Sequence, residues 1–381
     1  MIGVGHFEAT PRIRELIAEV LDSGRISYGP MSKKFELEFA RIHNNKYAVL
    51  SNSGTSSLQV ALQAMKEIHG WKDGDEVIIP AVTFVATANI VLHNNMVPVL
   101  VDVRPDTYNI DESLILSAIT DKTRAIIPVH LFGQPANMLA IMEIADAHGL
   151  LVIEDSCESM FATHRGRSVG SWGDIACFST YVAHLITTGV GGIGVTDDPD
   201  YADKMRSLVN HGRDGIFFDT DSGKQLIKRR FMFDSLGHSF RITELESAIG
   251  LAQLETWEDM ILARKKNAQY LNDNLHEYAV EGLLQLPYVD DTNSSAWMMY
   301  PLVVLDESKW KICNYLEENG IETREMLPLT NQPCYGGLWN EGDYPVAQWI
   351  NESGFYIGCH QGLDEYDLDK IIDTIGGYFL R

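Results

Sequence analysis

Three short stretches carry residue types that could do chemistry. The first is Ser51-Asn52-Ser53-Gly54-Thr55-Ser56-Ser57, which follows an apolar β-branched run and opens a helical pattern. Small side chains let a ligand approach the backbone, and a helix N-terminus offers free N–H groups and the positive end of a dipole to a phosphate. The same residues also read as a plain N-cap cluster. The second is Glu154-Asp155-Ser156-Cys157-Glu158-Ser159, at the C-terminal end of another apolar run. A carboxylate emerging from a buried strand is costly unless it meets a cation or a strong donor, and a protonated ring nitrogen would serve. A strand-end Asp that caps the next turn is the plainer alternative. The third is residues 178–192, where His184 sits inside a segment (175–196) without Asp, Glu, Lys or Arg. A lone histidine in apolar surroundings is commonly a satisfied core residue, yet imidazole is also the side chain best matched to proton transfer near neutral pH.

The elements that must position these residues follow from periodicity. Runs rich in Val, Ile and Leu at Tyr47–Ser51, Glu76–Pro80, Val97–Val103, Arg124–His130 and Leu150–Glu154 alternate with helical patterns such as Ser56–Ile68 and Ala136–His148. Continuous apolar runs at this spacing predict an α/β fold with a largely parallel sheet covered by helices on both faces. Segment 175–196 is long enough to suggest a membrane span, but its glycines, threonines and histidine make it a buried strand, a loop and a second strand. From about residue 245 the pattern changes to one or two charged helices over Glu244–Asn274, a strand in Met298–Leu305 and a helix over Glu307–Gly320. This predicts a large domain over residues 1–240 and a smaller α+β C-terminal domain over 241–381.

Composition narrows the function classes. The formal net charge of −23 argues against a general nucleic-acid binder or a protein drawn to anionic membrane. It leaves room for a small anion in one locally positive pocket. Five cysteines without a CxxC spacing predict neither a disulfide framework nor a thiolate metal site, and point to a reducing cytoplasm. The phosphate loop is neither a P-loop nor a GxGxxG dinucleotide fingerprint.

In their order along the chain the three stretches resemble the sugar aminotransferases of the DegT/DnrJ/EryC1/StrS family, fold-type I enzymes that use pyridoxal phosphate. The resemblance spans essentially the whole chain and includes Ser23-Gly24-Arg25, residues 80–87, Asn210-His211-Gly212-Arg213, residues 237–241 and residues 320–324. It implies a large domain built on a mostly parallel seven-stranded sheet. It also implies that Gly54, Thr55 and Ser179 hold the cofactor phosphate, Phe84 stacks on the ring, Asp155 pairs with the ring nitrogen, and Glu158 lies near the ring hydroxyl. Relatives are homodimers with shared sites. Ser239 stands where their partner-reaching loop carries Asn, and Arg241 is implied to serve that interface. Arg324 is implied to face an anionic substrate or glutamate. His211 and Arg213 could meet cofactor or substrate, or simply tie a loop. Lys228-Arg229-Arg230 could meet a diphosphate or form a solvated turn.

One position departs from the family pattern. Where the aminotransferases have the lysine that tethers the cofactor, this chain has His184, and no lysine lies between Lys122 and Lys204. The resemblance then implies noncovalently held pyridoxal or pyridoxamine phosphate. A branch with the same replacement comprises the nucleotide-sugar 3-dehydratases. Residues 157–160 (Cys-Glu-Ser-Met) and residues 355–361 are similar to that branch, and this likeness implies His360, with Gln361, as a substrate-site candidate. Ile186-Thr187-Thr188-Gly189 is of aminotransferase type, and the branch's second histidine is Leu185 here. The expectation is a 3-dehydratase acting on a nucleotide-linked 4-keto-6-deoxyhexose with glutamate as amino donor. An aminotransferase with a histidine base and a noncatalytic homologue are the alternatives.

Overall fold

Apolar runs of the first half of the chain gather into one sheet. The computed structural model describes residues 1–213, 232–305, 307–326 and 328–380, so Lys228-Arg229-Arg230 lies outside the described residues. The strands in chain order are β1 (Tyr47–Ser51), β2 (Glu76–Pro80), β3 (Val97–Val101), β4 (Thr123–Ile126) and β5 (Leu151–Asp155), a short hairpin of β6 (Thr163–His164) and β7 (Arg167–Ser168), then β8 (Ile175–Ser179) and β9 (Gly192–Thr196). Leaving the hairpin aside, they form a seven-stranded sheet in the order β1-β9-β8-β5-β4-β2-β3. Neighbours pair in parallel except around β9, which runs against both β1 and β8. The loop between β8 and β9 needs no crossover, which antiparallel pairing permits. Every residue of β8 and β9 is buried, as a sheet covered on both faces requires. Segment 175–196 is therefore strand, loop, strand, as its composition predicts. No helix among the described residues is long and apolar enough to cross a membrane.

The helices are α1 (Pro11–Ser23), α2 (Pro30–Ile42), α3 (Gly54–His69), α4 (Val85–His93), α5 (Glu112–Ala118), α6 (Met138–His148), α7 (Pro199–Leu208), α8 (Glu244–Leu254), α9 (Trp257–Val280), α10 (Lys309–Glu318), α11 (Pro345–Ser353) and α12 (Glu365–Phe379). Their ends obey local chemistry. Ser53 caps α3 by accepting the Ser56 N–H at 3.0 Å, and Thr243 with Glu246 forms a capping box on α8. Leu58, Leu62 and Met65 of α3 pack with Val77 and Ile79 of β2 on one face of the sheet. On the other, Phe35 and Phe39 of α2 pack with Phe178 of β8 and Ala248 of α8.

Four further antiparallel strands make a second sheet. These are β10 (Leu284–Gln285), β12 (Met299–Val304), β13 (Thr323–Glu325) and β14 (Gly354–Gly358), in the order β10-β12-β14-β13; β11 (Asn293–Ser294) instead pairs with β6. Side-chain packing changes hands along α9. Ile261 belongs to the cluster of Phe35 and Phe178, whereas Ala268, Leu271 and Leu275 pack with Leu302, Ile312 and Ile371. The N-terminal segment joins this second sheet. Ile2 donates its N–H to Gly320 O at 2.8 Å, and its carbonyl accepts from the Glu322 N–H at 2.9 Å.

One strand is shorter than its apolar run. The Arg124–His130 run pairs continuously only to Ile126, because Pro128 has no N–H to donate. The remainder keeps single contacts that tie down the end of β5. Asp155 N–H donates to Pro128 O at 2.9 Å, and His130 N–H donates to Asp155 O at 3.1 Å.

Candidate active site

Successive side chains of a strand face opposite ways, and the last two of β5 have different fates. Glu154 is fully buried and fully used: it accepts the N–H groups of Gly170, Trp172 and Gly173 at 2.7–2.8 Å and faces His130 Nε2 at 3.1 Å. Asp155 opens instead onto a cavity of about 550 Å³. Its Oδ2 accepts from the Thr87 hydroxyl at 2.8 Å, and its Oδ1 from the Cys157 N–H at 3.3 Å. Thr87 is in turn held by Thr83 across one helical turn, at 2.9 Å. No cation lies within ion-pair distance of Asp155 among the described residues. Burial therefore pushes its carboxyl up, against the Cys157 and Thr87 hydrogen bonds.

The cavity is lined from both sheets. Ser53, Gly54 and Thr55 come from the start of α3, Thr83 and Phe84 from the start of α4, and Asp155, Cys157 and Glu158 from the end of β5. Ser179, Tyr181, Ala183 and His184 follow β8; Met298, Met299, Arg324, Glu325 and Tyr356 come from the second sheet; and Val4 comes from the N-terminal segment. Because Ser53 caps with the Ser56 N–H, the Gly54 and Thr55 N–H groups stay at the open end of the helix. Gly54 is there for space. A Cβ on it would lie 2.7 Å from Ser179 Cβ and 2.8 Å from Cys157 Sγ.

His184 is half-buried on the cavity wall, with Nδ1 3.3 Å from the Ser179 carbonyl. A carbonyl only accepts, so Ser179 favours a ring proton on Nδ1, which would leave the lone pair on Nε2. Burial lowers its pKa to about 4, against the raising influence of the Ser179 and Cys157 backbone. The loop that carries it is laced shut. Thr180 and Thr188 hydroxyls meet at 2.6 Å, Thr188 N–H donates to Thr180 O at 2.8 Å, and Gln253 of α8 bonds both polar backbone groups of Thr187. Glu158 accepts the Phe132 N–H at 2.7 Å; burial, with some help from Asp155, raises its pKa to about 7. Arg324 is the one permanent cation among the described residues of the lining.

The structure thus brings together Gly54, Thr55, Phe84, Asp155, Glu158, Ser179, His184 and Arg324. Ser239, His211 and Arg213 do not line this cavity. Ser239 and His211 instead join Arg241, whose guanidinium donates to Ser239 Oγ at 3.0 Å and Asn210 Oδ1 at 3.2 Å and lies 3.3 Å from His211 Nε2, in an exposed cluster. Arg213 lies over the Phe233 ring at 5.8 Å, and its carbonyl accepts from the Ser207 hydroxyl. His360 is also outside the lining; it is buried, stacked on His6 with ring centroids 5.3 Å apart. Gln361 accepts from the guanidinium of Arg264 at 3.1 Å. Sequence reasoning gave no role to Thr87, Val4 or Tyr356. Nothing local marks Val4 or Tyr356, and the Thr83–Thr87 spacing does not by itself name an acceptor.

Comparison with known proteins agrees with this architecture. Residues 8–376 match the model of the DegT/DnrJ/EryC1/StrS aminotransferase family. The chain is 36% identical over 376 residues to a GDP-perosamine synthase of Caulobacter vibrioides, covering 96% of each. An aminotransferase structure from Psychrobacter cryohalolentis superposes with a TM-score of 0.90 at 30% identity, covering 98% of both chains. The E. coli GDP-4-keto-6-deoxy-D-mannose-3-dehydratase with bound hydrated PLP gives a TM-score of 0.90 at 26% identity, over 98% of this chain and 99% of that one. This chain therefore belongs to the DegT/DnrJ/EryC1/StrS aminotransferase family, whose members are enzymes that depend on pyridoxal phosphate.

Proposed function

We propose that this enzyme holds pyridoxamine phosphate without a covalent tether and dehydrates a nucleotide-linked 4-keto-6-deoxyhexose at C3, with His184 as the base. One observation carries the reading. The cavity combines a phosphate-ready helix start, a buried carboxylate lacking a cation, and an imidazole held by the Ser179 carbonyl, while no lysine lines it among the described residues.

The residues present fit the cofactor. The missing side chain of Gly54 lets the start of α3 lie close against Ser179 and Cys157, so that one phosphate could meet the Gly54 and Thr55 N–H groups and the Ser179 hydroxyl together. Asp155, raised by burial, would have its charged form favoured by a protonated ring nitrogen. Phe84 would cover the ring, and Glu158 would lie by its hydroxyl. When bound, the pyridoxamine form supplies an amine to the C4 ketone and an electron-withdrawing ring that lets the C3 hydroxyl leave. His184 takes and returns the proton at Nε2, kept in its Nδ1–H tautomer by Ser179 O. The threonine lacing of residues 180–188 holds that imidazole in place, and proton transfer by a positioned base contributes about 10²–10⁴-fold.

The balance of atoms gives the test. The sugar's C3 passes from CHOH to CH₂, so two electrons are required. Glutamate supplies them on conversion to 2-oxoglutarate, and its nitrogen leaves as ammonia. Simple amino transfer would instead place that nitrogen on C4 of the sugar and release none. Candidate GDP- and CDP-linked 4-ketosugars should therefore yield a 3-deoxy product and one ammonia per 2-oxoglutarate; a 4-amino sugar without ammonia would refute dehydration. Amino transfer is the second reading, favoured by the Thr187-Thr188-Gly189 loop and by the likeness to a GDP-perosamine synthase. In either reading the exposed Ser239–His211–Arg241 cluster is the surface through which a second copy would reach the cofactor phosphate in a homodimer.

A further inference from the structure

We infer that Glu322 is a positioning residue, and that with the N-terminal segment it holds Arg324 as the anion receptor of the cavity. The inference rests on the proposal that this cavity takes an anionic sugar nucleotide and glutamate. It does not depend on which reaction follows.

Electrostatics pose the problem. The chain carries a formal net charge of −23, and the cavity lining includes Asp155, Glu158 and Glu325. Both expected substrates are anions. Arg324 is the sole arginine or lysine in the described lining, and it stands on an exposed position of β13, opposite Tyr356 of β14. A long exposed side chain loses affinity to its own rotamer freedom unless something fixes it.

Glu322 supplies that restraint, and both of its carboxylate oxygens are used. Oε1 accepts from Arg324 Nη2, and Oε2 accepts the Val4 N–H at 2.9 Å. Val4 is itself buried and lines the cavity. The segment that presents its N–H fits closely on both sides. Ile2 pairs with Ile321 through two backbone hydrogen bonds. A Cβ on Gly5 would lie 2.8 Å from Ala183 Cα, in the loop that carries His184, and a Cβ on Gly358 would lie 2.2 Å from Gly3 O. The N-terminal segment thus spans from β13 and β14 to the His184 loop. The remaining Arg324 N–H groups have no protein acceptor among the described residues and are free for a carboxylate or a phosphate.

A double-mutant cycle tests the inference. Glu322→Gln keeps an oxygen for Val4 but loses the ion pair, and should raise the KM for the anion Arg324 serves by roughly three- to tenfold with kcat little changed, the scale of fixing one long side chain. Arg324→Ala should raise it further, and adding Glu322→Gln to Arg324→Ala should do nothing more. Glu322→Asp should recover part of the loss. The glutamate half-reaction, followed by cofactor absorbance, is compared with the KM for the nucleotide sugar, and the arm that moves identifies the anion. Glutarate serves as an inert probe in cofactor-free protein: its stabilisation in thermal melts should shrink in Glu322→Gln and vanish in Arg324→Ala. Additive effects of the two substitutions, or a change in kcat alone, would overturn the inference. Failure of dehydration with the KM pattern intact would refute only the reaction proposed above.

Discussion

At the scale of the residue, the proposed reaction turns on how His184 is held. Its pKa is lowered, so the neutral form persists as pH falls below the ordinary value of 6.5 and is lost only towards about 4. In the free enzyme, kcat/KM should therefore stay level on the acid side through pH 6, where a solvated imidazole would already be half protonated. A pH–rate profile that bends near 6.5 would show that the ring is solvated in the working enzyme. His184→Ala should lower kcat by about 10²–10⁴-fold and leave cofactor affinity nearly unchanged, as equilibrium titration would measure. His184→Lys should acquire a cofactor that borohydride fixes to the chain. The position and type of His184 and Asp155 were legible in the sequence, because each stands out against an apolar run. Thr87, which bonds Asp155, was not. A threonine hydroxyl in a helix carries no signal until its acceptor, 68 positions away in sequence, is known.

At the scale of the element, the phosphate-ready turn depends on the fit of α3 against β8. Gly54→Ala would push a methyl group into Ser179 and Cys157, at separations of 2.7 and 2.8 Å that only a shift of α3 can relieve. Such overpacking costs about 1–3 kcal/mol. The shift moves the two N–H groups proposed to meet the phosphate, so cofactor affinity should fall at least about tenfold while the protein still folds. Fluorescence titration with the cofactor reads this directly, and unchanged affinity would show that the phosphate sits elsewhere. The strands beneath this turn were readable because β1, β2 and β5 are buried on both faces and so appear as unbroken apolar runs. The overshoot of the fourth run had a visible cause in Pro128. The pairing of β12 with β14 was not readable. It joins Met299–Val303 to Gly354–Gly358 across α10, β13 and α11, and neither strand specifies its partner.

At the scale of the whole molecule, buried titratable groups set how the cofactor-free protein responds to acid. His43 is enclosed by Phe39, Phe161 and Phe178; its Nδ1 lies 3.0 Å from Phe39 O, and its Nε2 accepts the Phe161 N–H. Burial lowers it to about 4, as it does His184 and His360. Each of the three is neutral in the fold at a pH where the unfolded chain would protonate it, so each contributes stability above 6.5 that is lost as pH falls from 6.5 towards 4. Glu158 works in the opposite direction. Raised to about 7, it binds a proton in the fold that the unfolded chain does not, and stability rises as pH falls from 7 towards 4.5. The raised carboxyl of Asp155 adds to that side. These three histidines, joined by His164 and His238, which burial also lowers, outnumber the raised carboxyls of Glu158, Asp155 and Asp174 between 4.5 and 6.5. Denaturant unfolding of the cofactor-free protein should thus show stability falling with acid in that window. His43→Asn retains a donor and an acceptor for the same backbone groups and should reduce the slope by about one proton, whereas Glu158→Gln should steepen it. Bound cofactor should change the balance by favouring the charged form of Asp155. Its carboxylate then faces the ring nitrogen's charge, its pKa falls below the unfolded value, and the holoenzyme should lose stability with acid more steeply than the cofactor-free protein. Equal slopes for the two forms would mean that Asp155 does not meet the ring.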